Sequence, residues 1–288
     1  MGSHEMTTLT LVISCKDTTG VIAAVASFVA ERGGSFVESN HHTDIAAGWF
    51  FMRNVIDIGN MTIDADKFKQ EFEFIATQFD MTWYLRDNRV KPTVTILASR
   101  ASHCLSDLLY RWKAGELPCE IPCVISNHEN LRSMVEWHGI PFHHVPTPKG
   151  DKTAAFEMTT DIIDRHESES IVLARYMQIL PAAICNRYAG QVINIHHSFL
   201  PSFIGADPYQ RAFDRGVKLI GATCHYVTED LDEGPIIEQD VIRVGHNCDR
   251  SEMIRRGRDV ERAVLSRGLL YHLEDRVIVH NNKTIVFS

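Results

Sequence analysis

The spacing of apolar residues changes character near Pro92, so one repeating architecture cannot accommodate the whole chain. Ahead of that point, residues 7–15 are rich in β-branched side chains and read as a strand. Asp17-Thr18-Thr19-Gly20 then turns the chain into a segment where Val21, Val25, Phe28 and Val29 recur at helical spacing, and Gly33-Gly34 supply a stop. Strands are predicted over 35–43 and 49–56. A helix capped by Asp64 follows, with Phe68, Phe72, Ile75 and Phe79 on one stripe, and residues 81–85 form a closing strand. The order β-α-β-β-α-β is the ferredoxin-like, split βαβ pattern.

Beyond a charged linker at 87–92 the rhythm shortens to brief apolar strands, predicted at 93–98, 122–126, 142–145, 171–174 and 192–195. Helical stretches at 103–113, 130–138, 153–165 and 181–188 separate them. That alternation argues for a mostly parallel, Rossmann-like sheet covered on both faces. Longer strands at 218–228 and 235–244 then pair antiparallel, Ser251 caps a final helix to about 273, and Asn281-Asn282 turns a closing hairpin. The division expected is 6–86 for a first domain and 93–288 for a second.

Composition removes several functional classes. No apolar run approaches the ~18 residues a membrane span needs. The first five residues lack the apolar core of a signal peptide and read as an expression scar, with Met6 as the natural start. A net charge of −8 makes a nucleic-acid partner a poor expectation. Seven scattered cysteines and no secretory signal predict reduced cytosolic thiols. Cys119 and Cys123, spaced C-x3-C, have no second pair to complete a zinc site, and no metal is assigned. Histidine doublets at His41-His42 and His143-His144 put adjacent side chains on opposite faces of a strand, so neither doublet chelates one ion.

In an open parallel sheet, ligands bind where loops leave the carboxyl ends of strands. Asn194 and His196 stand two apart at such an end, on the same side of the strand. An amide donor beside an imidazole can hold a developing oxyanion and move a proton; capping the next turn is an equally good reading from pattern alone. A second constellation is His225 followed by Glu229-Asp230-Leu231-Asp232-Glu233-Gly234. Mutual repulsion among these carboxylates is expected to raise at least one pKa, as suits a general base, although a solvated acidic turn has the same composition.

Asn194-x-His196, then Ser198-Phe199-Leu200-Pro201-Ser202-Phe203 and Gly205, resembles the formyltransferase fold that uses 10-formyltetrahydrofolate. Gly221-Ala222-Thr223-x-His225-Tyr226-Val227-x-Glu229-Asp230-x-Asp232-x-Gly234 is similar to the second motif of that family. Together they imply a catalytic set of Asn194, His196 and Asp232. The resemblance of residues 173–180 to a folate-lining segment implies substrate contacts at Met177 and Leu180, joined by His225, Glu229 and Asp230.

Within that superfamily the chain resembles the formyltetrahydrofolate deformylases. Its leading domain, with Cys15-Lys16-Asp17-x-x-Gly20, resembles an ACT module, which implies a regulatory site at Asp17 and Gly20 and an amino-acid effector. The turn after the first strand of the second domain, residues 98–105, has none of the glycines that let a formyltransferase loop cradle a substrate phosphate. Asp207 departs from the lysine usual in deformylases. The resemblance implies hydrolysis of 10-formyltetrahydrofolate, a folate as substrate and not as cofactor, and no membrane partner. Formyl transfer to an amine is the alternative. Exposed sheet edges predict a homo-oligomer.

Overall fold

The computed structural model describes residues 7–202 and 208–288, so Phe203, Gly205 and Asp207 lie outside the described residues. The chain divides into two compact units. The first takes the chain up to Lys91 together with Asp275–His280 and Ile285–Ser288, and the second takes Pro92–Glu274 and Asn281–Thr284. The expected second domain ran unbroken from 93 to 288, whereas most of the final hairpin groups with the first unit. Ile278, Ile285 and Phe287 explain this, because they pack with Val12, Trp49 and Phe51.

In the first unit, β1 (Thr8–Lys16), α1 (Val21–Glu31), β2 (Ser35–Asp44), β3 (Trp49–Asp57), α2 (Ala65–Gln78) and β4 (Thr82–Asp87) follow one another. The four strands form an antiparallel sheet in the order β2-β3-β1-β4. Leu11 and Ile13 meet Val25, Phe28, Phe68 and Phe72 in one core. Asp64 caps α2 as its position predicts, its carboxylate accepting from the Lys67 amide at 2.8 Å. Gly33 has φ +79, and a Cβ there would meet the Asn60 carbonyl at 2.5 Å, so only glycine ends α1 this way.

The second unit runs β5 (Val94–Ala98), α3 (His103–Lys113), β6 (Val124–Ser126), α4 (Arg132–Trp137), β7 (Phe142–His144), α5 (Thr153–Arg165) and β8 (Ser170–Ala174). It continues with α6 (Ala182–Arg187), β9 (Val192–His196), α7 (Pro208–Arg215), β10 (Leu219–Tyr226), β11 (Ile236–Arg243) and α8 (Arg250–Leu273). Strands β12 (Val277–His280) and β13 (Lys283–Val286) form the hairpin. The main sheet has the order β11-β10-β9-β8-β5-β6-β7. Its five strands from β9 to β7 are parallel, and β10 and β11 are antiparallel additions. Every residue of β5 and β8 is buried, as central parallel strands require.

Three local expectations need correction. The final helix is capped by Asp249, whose side chain accepts from the Glu252 amide at 2.8 Å; Ser251 already lies inside the first turn. Residues 130–138 split into a 3-10 turn, Glu129–Leu131, and the short α4. Helix α7 was not anticipated, because its residues are mostly polar and its apolar members are few.

Candidate active site

Strand register builds the centre of the site. β9 and β10 pair antiparallel with Asn194 opposite His225 and His196 opposite Thr223. The first pair meets through side chains, with Asn194 Nδ2 3.2 Å from His225 Nε2. On its other side the His225 ring donates from Nδ1 to the Tyr226 carbonyl at 2.9 Å. A carbonyl only accepts, so in the neutral ring Nε2 is the acceptor and Asn194 turns its amide nitrogen toward it. Burial pushes the His225 pKa down, against the opposing effects of the Tyr226 carbonyl and the Asp232 charge, and keeps the ring neutral. Asn194 therefore retains a second N–H.

Thr223 does different work opposite His196. Its hydroxyl donates to the Ser198 carbonyl at 2.9 Å and accepts from the Leu200 amide at 3.0 Å and from Gln239 Nε2 at 2.9 Å. These bonds anchor the loop that leaves β9. The motif around Thr223 held this information, but its anchoring role was not read from the sequence.

Asp232 arrives from the loop after β10 in the left-handed region, at φ 59. Such a conformation costs a non-glycine residue about 1 kcal/mol or more and persists only where surroundings impose it. Gly234 is part of that imposition, since a Cβ there would collide with the Tyr226 carbonyl. The carboxylate Oδ2 lies 3.2 Å from His196 Nδ1, and Oδ1 lies 3.8 Å from His225 Nε2. His196 is buried, and its Nε2 has no hydrogen-bond partner among the described residues.

Repulsion within the acidic run is expected to raise at least one pKa, and Asp232 is not such a group. Burial pushes its pKa up, but the hydrogen bond with His196 and the favourable electrostatics of the surrounding imidazoles outweigh that and hold it below the usual carboxylate range. Glu229, Asp230 and Glu233 are exposed.

A cavity of about 400 Å³ opens against this set. Asn194, His196, His225 and Asp232 line it, as do Met177, Leu180 and Glu229 of the expected substrate contacts. Asp230 does not, and its side chain is exposed outside the cavity. Asp17 and Gly20 belong to the other unit, at the turn between β1 and α1.

A second buried cluster, which no spacing in the sequence signals, borders the cavity. Glu261 of α8 accepts from the Tyr209 hydroxyl at 2.7 Å and pairs with His103 Nε2 at 2.8 Å and Arg175 Nε at 3.3 Å. Burial would push the Glu261 carboxyl up, but His103, Arg175 and Tyr209 together hold it down. Arg175 also lines the cavity and adopts φ 61. His197 touches the same region, and burial, with Arg175 adding, pushes its pKa down to about 3. A Cβ on Gly257 would strike the Tyr209 hydroxyl, which accounts for the glycine within α8.

A formyl transferase family model matches residues 93–269. The formyltetrahydrofolate deformylase of Bacillus subtilis is 47% identical over 279 residues, covering 96% of this chain and 93% of that protein. That of Synechocystis is 42% identical over 281 residues, covering 98% and 99%. The crystal structure of a formyltetrahydrofolate deformylase from Pseudomonas syringae superposes with a TM-score of 0.97 at 56% identity, covering 99% of this chain and 96% of that one.

Proposed function

The chain belongs to the formyltetrahydrofolate deformylase family and carries that family's formyl transferase domain, and on this premise we propose that Asn194, His196 and Asp232 perform its chemistry. The reaction is hydrolysis of 10-formyltetrahydrofolate to tetrahydrofolate and formate. One observation carries the assignment of roles. His196 is tied to Asp232 through Nδ1 while its buried Nε2 has no partner among the described residues.

With its Nδ1 proton directed at Asp232, the neutral His196 ring presents a lone pair at Nε2. That atom takes a proton from the attacking water and returns it to the departing folate nitrogen. Asp232 holds the ring in this tautomer and stabilises the imidazolium formed between the two transfers. As water adds to the formyl carbon, the second N–H of Asn194 donates to the developing oxyanion, an interaction worth about 3 kcal/mol in comparable sites. Met177 and Leu180 contribute apolar surface for the folate ring, and Glu229 stands at the rim. No metal takes part in these steps, and the folate is consumed as a substrate.

Hydrolysis rather than transfer to an amine also fits the loop after β5. Its Ser99 hydroxyl donates to Asn127 Oδ1 at 2.6 Å and accepts from the Met177 amide at 3.1 Å, so it is spent internally instead of facing a second substrate. The decisive assay follows formate release from 10-formyltetrahydrofolate with no amine present. Stoichiometric formate is expected. A product that forms only when an amine is supplied would overturn the hydrolytic reading.

The first unit we assign to a ferredoxin-like ACT module that takes an amino-acid effector at the β1–α1 turn. There Gly20, at φ 99, begins α1 without a side-chain cap, and the Asp17 amide donates to the Gly48 carbonyl at 3.0 Å. Calorimetry with free amino acids tests this, and Asp17→Ala is expected to abolish the heat. The exposed edge strand β2 supports self-association of the chain, which sedimentation measures.

A further inference from the structure

Among the described residues, two groups of metal-ligating side chains lie in the second unit, and their hydrogen bonding separates them. His103, Cys104 and Glu261 converge within 4.8 Å, but the Glu261 carboxylate is already taken by Tyr209, His103 and the Arg175 cation. A guanidinium fills the place an ion would need. Cys123, His143 and His166 likewise bring one ligand atom each within 4.8 Å of the others. Among the described residues no guanidinium is bonded to these three, although the charge of Arg165 reaches Cys123 and His143. The Cys123 thiol has only a long contact to Thr95 Oγ1 at 3.6 Å, and His143 Nε2 is buried with no hydrogen-bond partner among the described residues.

A buried imidazole nitrogen without a protein partner is unsatisfied, and beside a thiol and a second imidazole a bound ion would satisfy it. We infer that Cys123, His143 and His166 form a binding site for a zinc-class divalent ion, with three protein ligands and a fourth position for water. One thiolate and two imidazoles suit a borderline-soft d-block ion and not magnesium or calcium, which take oxygen donors. Tetrahedral zinc holds such atoms about 3.3–3.6 Å apart, so small side-chain rotations complete the site.

Placement in the fold supports the assignment. Cys123 directly precedes β6, His143 lies on the edge strand β7, and His166 is the C-cap of α5. The carboxyl end of a helix carries partial negative charge and favours a cation. Arg165 lies close enough to act on both Cys123 and His143, and its charge opposes a cation there. An ion here ties the sheet edge to the end of α5, away from the strand ends that line the catalytic cavity. The doublet His143-His144 is split accordingly, with His144 Nδ1 turned to Glu129 at 2.8 Å.

The test uses the full chain stripped with a chelator and then titrated with Zn²⁺ by calorimetry and with Co²⁺ by absorption. The expected result is one ion per chain, with a thiolate-to-cobalt charge-transfer band in the near ultraviolet. Cys123→Ala abolishes the band and lowers affinity at least about 100-fold, and His166→Gln, a milder change on a partly exposed side chain, lowers affinity comparably. Cys104→Ala leaves both unchanged. Zinc also raises the melting temperature of the parent chain and not of the two ligand variants. Absence of stoichiometric binding, binding that survives both ligand substitutions, or a band lost in Cys104→Ala instead, each overturns the site.

Discussion

Two buried polar clusters border one cavity in the second unit, and each leaves one nitrogen without a hydrogen bond, Arg175 Nε in one and His196 Nε2 in the other, but they differ in what that nitrogen faces. Around Glu261 the carboxylate meets Tyr209, His103 and Arg175, all three as donors or cations. Around Asp232 the network stops one atom short, because His196 Nε2 has no partner among the described residues. Both clusters use one non-glycine residue at positive φ, Arg175 at 61 and Asp232 at 59, so backbone strain does not distinguish them. Charge pairing does. Arg175 Nε lies 3.3 Å from the Glu261 carboxylate, so that cluster is finished as an ion pair, whereas the one around Asp232 leaves His196 Nε2 with no described group opposite it and has capacity left for a reacting group.

The largest expected effect tests the unfinished cluster. His196→Ala removes the proton carrier, and turnover should fall about 10²–10⁴-fold with folate affinity largely kept. Asp232→Asn keeps the shape and loses the charge that fixes the ring, and it should cost on the order of 100-fold in turnover. Formate release and equilibrium folate binding, measured on the same preparations, check both. Parent-like turnover in His196→Ala would remove the distinction between the clusters.

Next comes the finished cluster. Glu261→Gln leaves the buried Arg175 without its counter-charge, and breaking a buried pair in this way costs about 3–5 kcal/mol of stability. The expected pattern is the reverse of His196→Ala: a large drop in denaturant midpoint, with the folded fraction retaining far more of its turnover. Chemical denaturation followed by activity of the native fraction separates the two. If Glu261→Gln lost turnover as steeply as His196→Ala while remaining stable, the cluster would belong to the chemistry.

The two clusters were not equally readable from the sequence. Asn194, His196 and His225 sit within strands whose periodicity is plain, and Asp232 lies in a short loop beside one of them, so local spacing and family resemblance found all four. Helices α3 and α5 were also read at their observed bounds, because each has one apolar stripe with clear limits. His103, Arg175, Tyr209 and Glu261 are spread along the chain on four separate elements or loops, and nothing periodic links them. The same holds for Cys123, His143 and His166. Cys119 is the one cysteine near Cys123 in sequence, whereas the imidazoles that meet Cys123 come from β7 and the end of α5. Asp230 is the opposite case. The motif includes it, while its side chain is exposed and does not line the cavity.

His197 sits between the clusters and offers a pH-dependent readout. Its pKa in the folded chain is about 3, against an ordinary value of 6.5, because burial and Arg175 oppose protonation. Between about pH 6.5 and pH 3 the unfolded chain takes up this proton and the folded chain does not, so stability falls as pH drops through that window. His197→Leu should flatten the dependence of unfolding free energy on pH by at most about 1.4 kcal/mol per pH unit. Denaturant titrations at several pH values measure the slope, and an unchanged slope would mean that the ring is protonated in the folded state.

The smallest effect is expected one residue from a large one. Glu233 follows Asp232 directly, yet its side chain is exposed while the Asp232 carboxylate is turned inward to His196. A charge in solvent acts on the site only through a screened field, so Glu233→Gln should change turnover by no more than a few-fold and should lose even that effect at high salt. Asp232→Asn acts through a direct contact and should be insensitive to salt. A merely acidic turn predicts two mild effects of similar size and similar salt dependence. Formate release for both variants across ionic strength separates the cases, since the left-handed backbone at Asp232 places one carboxylate of the run in the cavity and leaves its neighbour in water.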